Sequence, residues 1–117
     1  MSFHGEVSQI VERCPGAVGG AVVDPDGIPV VMVSQGVAME EIGAELAAIL
    51  GEMSQAERDL QHGEIRQLTV ETEDSATVVT LIDEGYFILL QMESGGLLGK
   101  ARFLSRVAAE RLRADFA

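Results

Sequence analysis

Apolar residues recur at three- and four-residue steps from Met39 to about His62, a helical pattern sustained for roughly six turns. The segments flanking it are short apolar runs of strand length. One long helix among short strands can bury its apolar stripe only against a sheet, which commits the chain to an α+β architecture. The stripe comprises Ile42, Leu46, Ile49, Leu50, Met53, Ala56 and Leu60, and it is expected to face that sheet. Gly63 is a natural terminator, and His62 stands where a helix end favours positive charge. Upstream, Ser2 can cap a first helix with Phe3, Val7, Ile10, Val11 and Cys14 on one face, ended by Pro15-Gly16. Residues 17–23 and 28–33 read as strands of a hairpin around Asp24-Pro25-Asp26-Gly27, and Pro29 puts the second at a sheet edge or gives it an irregular start. Downstream, residues 64–73, 76–82 and 86–92 form three strands whose short connections suit an antiparallel meander. Gly95-Gly96 opens a last helix with Leu98, Ala101, Leu104, Ala108 and Leu112 inward. The expectation is one domain over residues 1–117: helix, two strands, long helix, three strands, helix, with a five-stranded antiparallel sheet covered by helices on its faces.

Charge narrows the choice of partners. The chain has 19 acidic against 8 basic residues among 117, a net charge of -11, so its average field repels phosphate backbones and anionic membranes. Nucleic acid is not an expected partner, and a single tyrosine without tryptophan leaves no stacking platform for single strands. The basic residues gather late, as Lys100, Arg102, Arg106, Arg111 and Arg113. A solvated helix whose last turn complements its dipole explains them, and a basic face meeting an acidic protein is the alternative. No apolar run reaches the length of a membrane span, and the first residues lack the pattern of a signal peptide. A cytoplasmic protein without membrane insertion is expected.

The long helix divides into three bands at about 100° per residue. Opposite the apolar stripe lie Gly43, Ala47, Gly51 and Ser54, extended by Ala44 and Ala48, where a solvated helix normally carries long polar residues. Between the two run Glu41, Glu45, Glu52 and Asp59. Alanine is the best helix former and requires no partner, but each interior glycine forgoes about 1 kcal/mol relative to alanine. A second packing surface, most simply the same helix of another copy, accounts for Gly43 and Gly51, and an ordinary solvent face is the alternative.

Catalytic constellations are scarce. His4 and His62 lie near a terminus and a helix end, the one cysteine excludes a disulfide framework, and no residues stand at zinc-ligand spacing, so neither metal nor cofactor is expected. Cys14 reads as a small core residue, and Asp24, Asp26, Asp83 and Glu84 fall where tight turns favour such residues. Residues 94–101 look like a phosphate loop but carry Ser94 where the pattern requires glycine and Ala101 where it requires Ser or Thr. No enzyme is expected.

Pro15 to Gly27, the long Ala/Leu helix, the amphipathic strand after Gly63 and Leu98-Gly99-Lys100 opening the last helix together resemble the roadblock/dynein light-chain family over nearly the whole chain. The resemblance implies an α-β-β-α-β-β-β-α fold and a homodimer in which the middle helices lie antiparallel and the third strands pair. On that basis Gly43, Ala47, Gly51 and Ser54 fall at the dimer seam, with Leu68 and Val70 on the dimer-edge strand. Stand-alone prokaryotic members resemble MglB-type regulators of small Ras-like GTPases, which implies Glu41, Glu45, Ala48, Glu52 and Gln55 as partner contacts and no bound nucleotide. A non-catalytic scaffold subunit is the second reading. A Per-Arnt-Sim-type sensor fits less well, since this chain has one long helix and few aromatics.

Overall fold

The computed structural model describes residues 2–34 and 36–116. Helix α1 (Phe3–Arg13) leads into β1 (Ala17–Val23) and β2 (Pro29–Ser34), followed by α2 (Met39–Asp59). Strands β3 (Gln67–Glu71), β4 (Ser75–Leu81) and β5 (Phe87–Glu93) come next, then α3 (Leu98–Arg113) and a short 3-10 turn, Ala114–Phe116. The five strands form one antiparallel sheet in the order β2-β1-β5-β4-β3. The element order and fold class expected from the sequence are those observed.

Local chemistry sets the boundaries. The Ser2 hydroxyl accepts the Gly5 N–H at 2.9 Å, capping α1 as expected. Asp24 Oδ1 accepts the amides of Asp26 and Ile28 at 2.9 and 3.0 Å, so this carboxylate serves the hairpin turn. β2 lies at the sheet edge, and the ladder slips between Val22 and Val23 opposite Pro29, which lacks a donor. Two expected boundaries move by about three residues and others by one or two. α2 ends at Asp59 because Gln61 takes a left-handed φ of 59°, with the His62 amide donating to the Glu57 carbonyl and the Gln61 amide to the Arg58 carbonyl. That hydrogen-bond pattern terminates a helix, and here glutamine fills the position where glycine is commonest. The third strand begins at Gln67, three residues later than expected, because residues 64–66 run beyond the regular pairing with β4 and retain only the bond from the Leu81 amide to the Arg66 carbonyl.

The sheet is covered on both faces. α1 and α3 bury Val7, Ile10, Ala101, Ala108 and Leu112 against Val22, Val78, Ile88 and Leu90. α2 covers the other face, where Met39 and Leu50 meet Ala21, Val23, Val79, Phe87 and Leu89. Adjacent strand residues point to opposite faces, and β1 uses this with two consecutive glycines. A Cβ on Gly19 would stand 2.8 Å from the Met39 sulfur of α2, and one on Gly20 would stand 2.7 Å from Val7 Cγ1 of α1. Glu6, buried at 6% exposure, receives the Arg111 Nε at 3.2 and 3.1 Å from its two carboxylate oxygens, clipping α1 to α3. Cys14 is buried in the same layer, and desolvation pushes its thiol above the usual range while Lys100 opposes the shift.

Gly20→Val should lower stability by about 2 kcal/mol through overpacking against Val7 and Val11, read as a fall in the urea midpoint. Arg111→Ala leaves the Glu6 carboxylate buried without its cation and should cost about 1–2 kcal/mol, discounted because Arg111 is itself half exposed. The elevated thiol pKa means less thiolate at neutral pH. Alkylation of Cys14 in the folded chain should therefore be slower than in the urea-unfolded chain, with its rate rising only at higher pH.

Candidate functional site

The two faces of α2 determine what it can bind. The buried band holds Met39, Gly43 and Leu50, with Ile42, Leu46 and Ala47 packed beside them. This corrects the expected division of the helix. Gly43, assigned to an outer small-residue face, is buried, and a Cβ there would meet Val23 at 3.4 Å and the Gly27 carbonyl at 3.5 Å. Ala47 faces the same hairpin turn, since a Cβ on Gly27 would stand 3.2 Å from the Ala47 methyl. The close approach that glycine was expected to provide for a second copy is made, at Gly43, by the chain's own hairpin. Ser54 is half-buried and lines a groove at the end of α2. Gly51 alone of the four is exposed, with nothing within 4 Å of an added Cβ.

Three residues expected to face the sheet, Ile49, Ala56 and Leu60, are exposed instead. Ile49 is 45% exposed and Leu60 61%. Ile49 and Leu50 are neighbours about 100° apart on the helix, so the seating that buries Leu50 beside Leu46 and Ala47 turns Ile49 to the flank. Leu60 follows the last helical residue. Leu68 packs beneath α2, and Val70, two residues on and on the same face of β3, is 42% exposed. The apolar flank of α2 and the β3 edge thus offer Ile49 and Val70 together with half-buried Met53 and Leu68.

The outer face of α2 carries Glu41, Glu45, Ala48, Glu52 and Gln55, all exposed. Gln55 is held in place, donating to Asp59 Oδ1 at 2.9 Å and accepting from Arg58 at 3.0 Å. Among the described residues, Glu41, Glu45 and Glu52 have no hydrogen-bond or ion-pair partner. The structure therefore groups all five expected partner contacts on one accessible surface.

The late basic cluster divides by partner. Arg111 serves Glu6, while Arg113 donates to the Ile82 carbonyl at 2.8 Å and to Glu110 at 2.8 Å. Lys100, Arg102 and Arg106 remain exposed on α3 beside Phe103, which is 59% exposed. The sequence reading passed over Phe103, although its place opposite Ala101 and Ala108 on the helical wheel was readable.

A groove of about 690 Å³ runs between the end of α2, residues 63–66, the β4–β5 turn and Arg113. Its lining includes Arg58, Arg66 and Arg113 with Glu64, Asp83 and Glu84, so its charges offset one another. No group of three or more metal-ligating side chains occurs among the described residues. The phosphate-loop lookalike is a turn in which Gly96 packs on the backbone of Gly16 and its amide donates to the Glu93 carbonyl at 3.2 Å. No helix of the described residues is long and apolar enough to cross a membrane.

Among solved structures, the fold is similar to a Roadblock/LC7 domain from Streptomyces avermitilis, with a TM-score of 0.87 and 14% identity over 99% of this chain and 98% of that one. It is similar to MglB from Myxococcus xanthus, with a TM-score of 0.86 and 14% identity over 97% and 94% of the two chains. MglC from Myxococcus xanthus is 28% identical with a TM-score of 0.69, over 98% of this chain and 99% of that one. No curated protein matches the sequence. The Roadblock/LC7 domain model matches residues 4–92, and on the order of its elements, its sheet and that match the chain belongs to the Roadblock/LC7 family.

Proposed function

We propose that the chain is a homodimeric module that binds a small Ras-like GTPase and modulates its hydrolysis or placement through the outer face of α2. The observation that carries this reading is a helix buried along one side only, whose other side presents Glu41, Glu45, Ala48 and Glu52 in a row with no hydrogen-bond or ion-pair partner among the described residues. Unpaired carboxylates around a small residue form a surface that basic groups of another protein can read, steering encounter and fixing register. The resemblance to MglB-type proteins supplies the GTPase as the partner class, and the similarity to MglB and MglC supports it.

Surfaces the single chain leaves uncovered support the dimer reading. Exposed Ile49 on α2 and Val70 on β3, with Met53 and Leu68 behind them, are the apolar groups that a second copy would cover. Of the two sheet edges, β2 carries Pro29 and a slipped register, both of which hinder further pairing, whereas β3 pairs regularly along its length. The seam proposed from the structure keeps Leu68 and Val70, exchanges Gly43 and Ala47 for Ile49 and Met53, and leaves Gly51 beside the partner-binding face.

Ile49→Glu should convert a dimer to a folded monomer, seen as a halved mass in light scattering with an unchanged circular dichroism spectrum. Purified protein used as bait in extract from the source cell should retain a small GTPase whose GTP turnover changes on addition of the module. The double substitution Glu45→Lys/Glu52→Lys should weaken that complex about tenfold or more. Recovery of other proteins but no GTPase would move the assignment to a scaffold subunit.

A further inference from the structure

The outer face of α3 is a second surface that the reading above leaves unused. Phe103 is 59% exposed at its centre, with Lys100 three residues before it and Arg106 three residues after, all on the side of the helix away from Ala101, Ala108 and Leu112. Among the described residues neither Lys100 nor Arg106 has a hydrogen-bond or ion-pair partner. A large exposed aromatic between two free cations is unusual in a chain of net charge -11. Surfaces of this kind mark an interaction site more often than a scattered single apolar residue does.

The matching surface is on the same chain. On the outer face of α2, Ala48 stands between Glu45, three residues before it, and Glu52, four residues after it. The helical rise sets the two carboxylates about 10 Å apart along the axis and the two cations about 9 Å apart. An aromatic side chain flanked by two positive charges on α3 is therefore complementary to a shallow alanine site flanked by two negative charges at nearly the same spacing on α2. Both surfaces are helical and exposed, so they can meet without rearrangement of either fold.

We infer that the Lys100–Phe103–Arg106 face of α3 docks on the Glu45–Ala48–Glu52 face of α2 in a second copy of this chain. The contact joins two different surfaces, so it links copies into larger assemblies rather than closing a single twofold pair. The net charge repels copies at a distance, and attraction takes over only within about 10 Å, the Debye length at 0.1 M salt. The contact is consequently weak and concentration-dependent. It covers Ala48, so self-docking and any other occupant of the α2 outer face exclude one another. The inference needs only that this face be free and does not rest on the GTPase reading.

Sedimentation of the full chain over a concentration series tests it. The weight-average mass should rise with concentration beyond that of the Ile49-dependent species. Phe103→Ser, or the pair Lys100→Glu/Arg106→Glu, should raise the concentration required about tenfold or more, with an unchanged circular dichroism spectrum. The pair Glu45→Lys/Glu52→Lys should do the same. Combining the two pairs in one chain restores opposite charges across the contact and should recover association, whereas general repulsion in a chain of net charge -11 would instead make the less negative Glu45→Lys/Glu52→Lys pair associate more strongly than the unsubstituted chain. A mass that stays constant up to millimolar concentration would overturn the inference, as would association unaffected by these substitutions. Phe103-dependent binding to phosphatidylserine vesicles in the absence of self-association would overturn it in favour of a membrane role for the patch.

Discussion

Two consecutive glycines in β1 govern how the molecule closes. Gly19 and Gly20 point to opposite faces of the same strand, and their missing side chains leave a notch on each. The Met39 sulfur occupies one notch and Val7 the other, so helices from both layers sit directly on one strand. A sheet with a side chain at either position would hold one helix further away, at a cost in packing on that face. Met39 is the first residue of α2, and its seating fixes both the point at which the helix meets the sheet and its rotation.

That rotation decides which chemistry α2 shows to its surroundings. With Met39 in the notch, Gly43 rests on Val23 and the Gly27 carbonyl, and Leu50 closes over the centre of the sheet. The face left opposite the sheet is mostly short or acidic, with Ile49 exposed on its flank, and no group of three or more metal-ligating side chains lies among the described residues. Such a surface recognises by charge and shape. The exposed part of α3 has the opposite sign, because Arg111 and Arg113 are used internally while Lys100, Arg102 and Arg106 are not. An acidic helix face and a basic one on the same small molecule give it polarity despite its high net charge.

The glycines of α2 show how a sound energetic argument can reach the wrong neighbour. A glycine inside a helix implies close approach by something, and for Gly43 that was correct. The approaching group is the tip of the β1–β2 hairpin, 16 residues earlier at Gly27, where a left-handed turn carries no side chain. Gly51 has open space around it, so the same argument finds no partner among the described residues. Ile49 was misplaced for a related reason. An apolar stripe read from sequence is broader than the strip a sheet can cover, and residues at its margin are exposed or buried according to the helix's rotation.

Periodicity, turn residues and the Ser2 cap fixed the order of the elements, the antiparallel sheet and the inward stripe of α3, because these depend on interactions between residues close in sequence. They also identified the acidic row Glu41, Glu45 and Glu52 as one surface, since spacing along a helix is a local property. Only the folded chain decided that Gly43 and Ala47 face inward, that Ile49 and Phe103 face outward, and that Arg111 belongs to Glu6. Those outcomes depend on which distant segment arrives at each face, and that is settled by packing across the sheet.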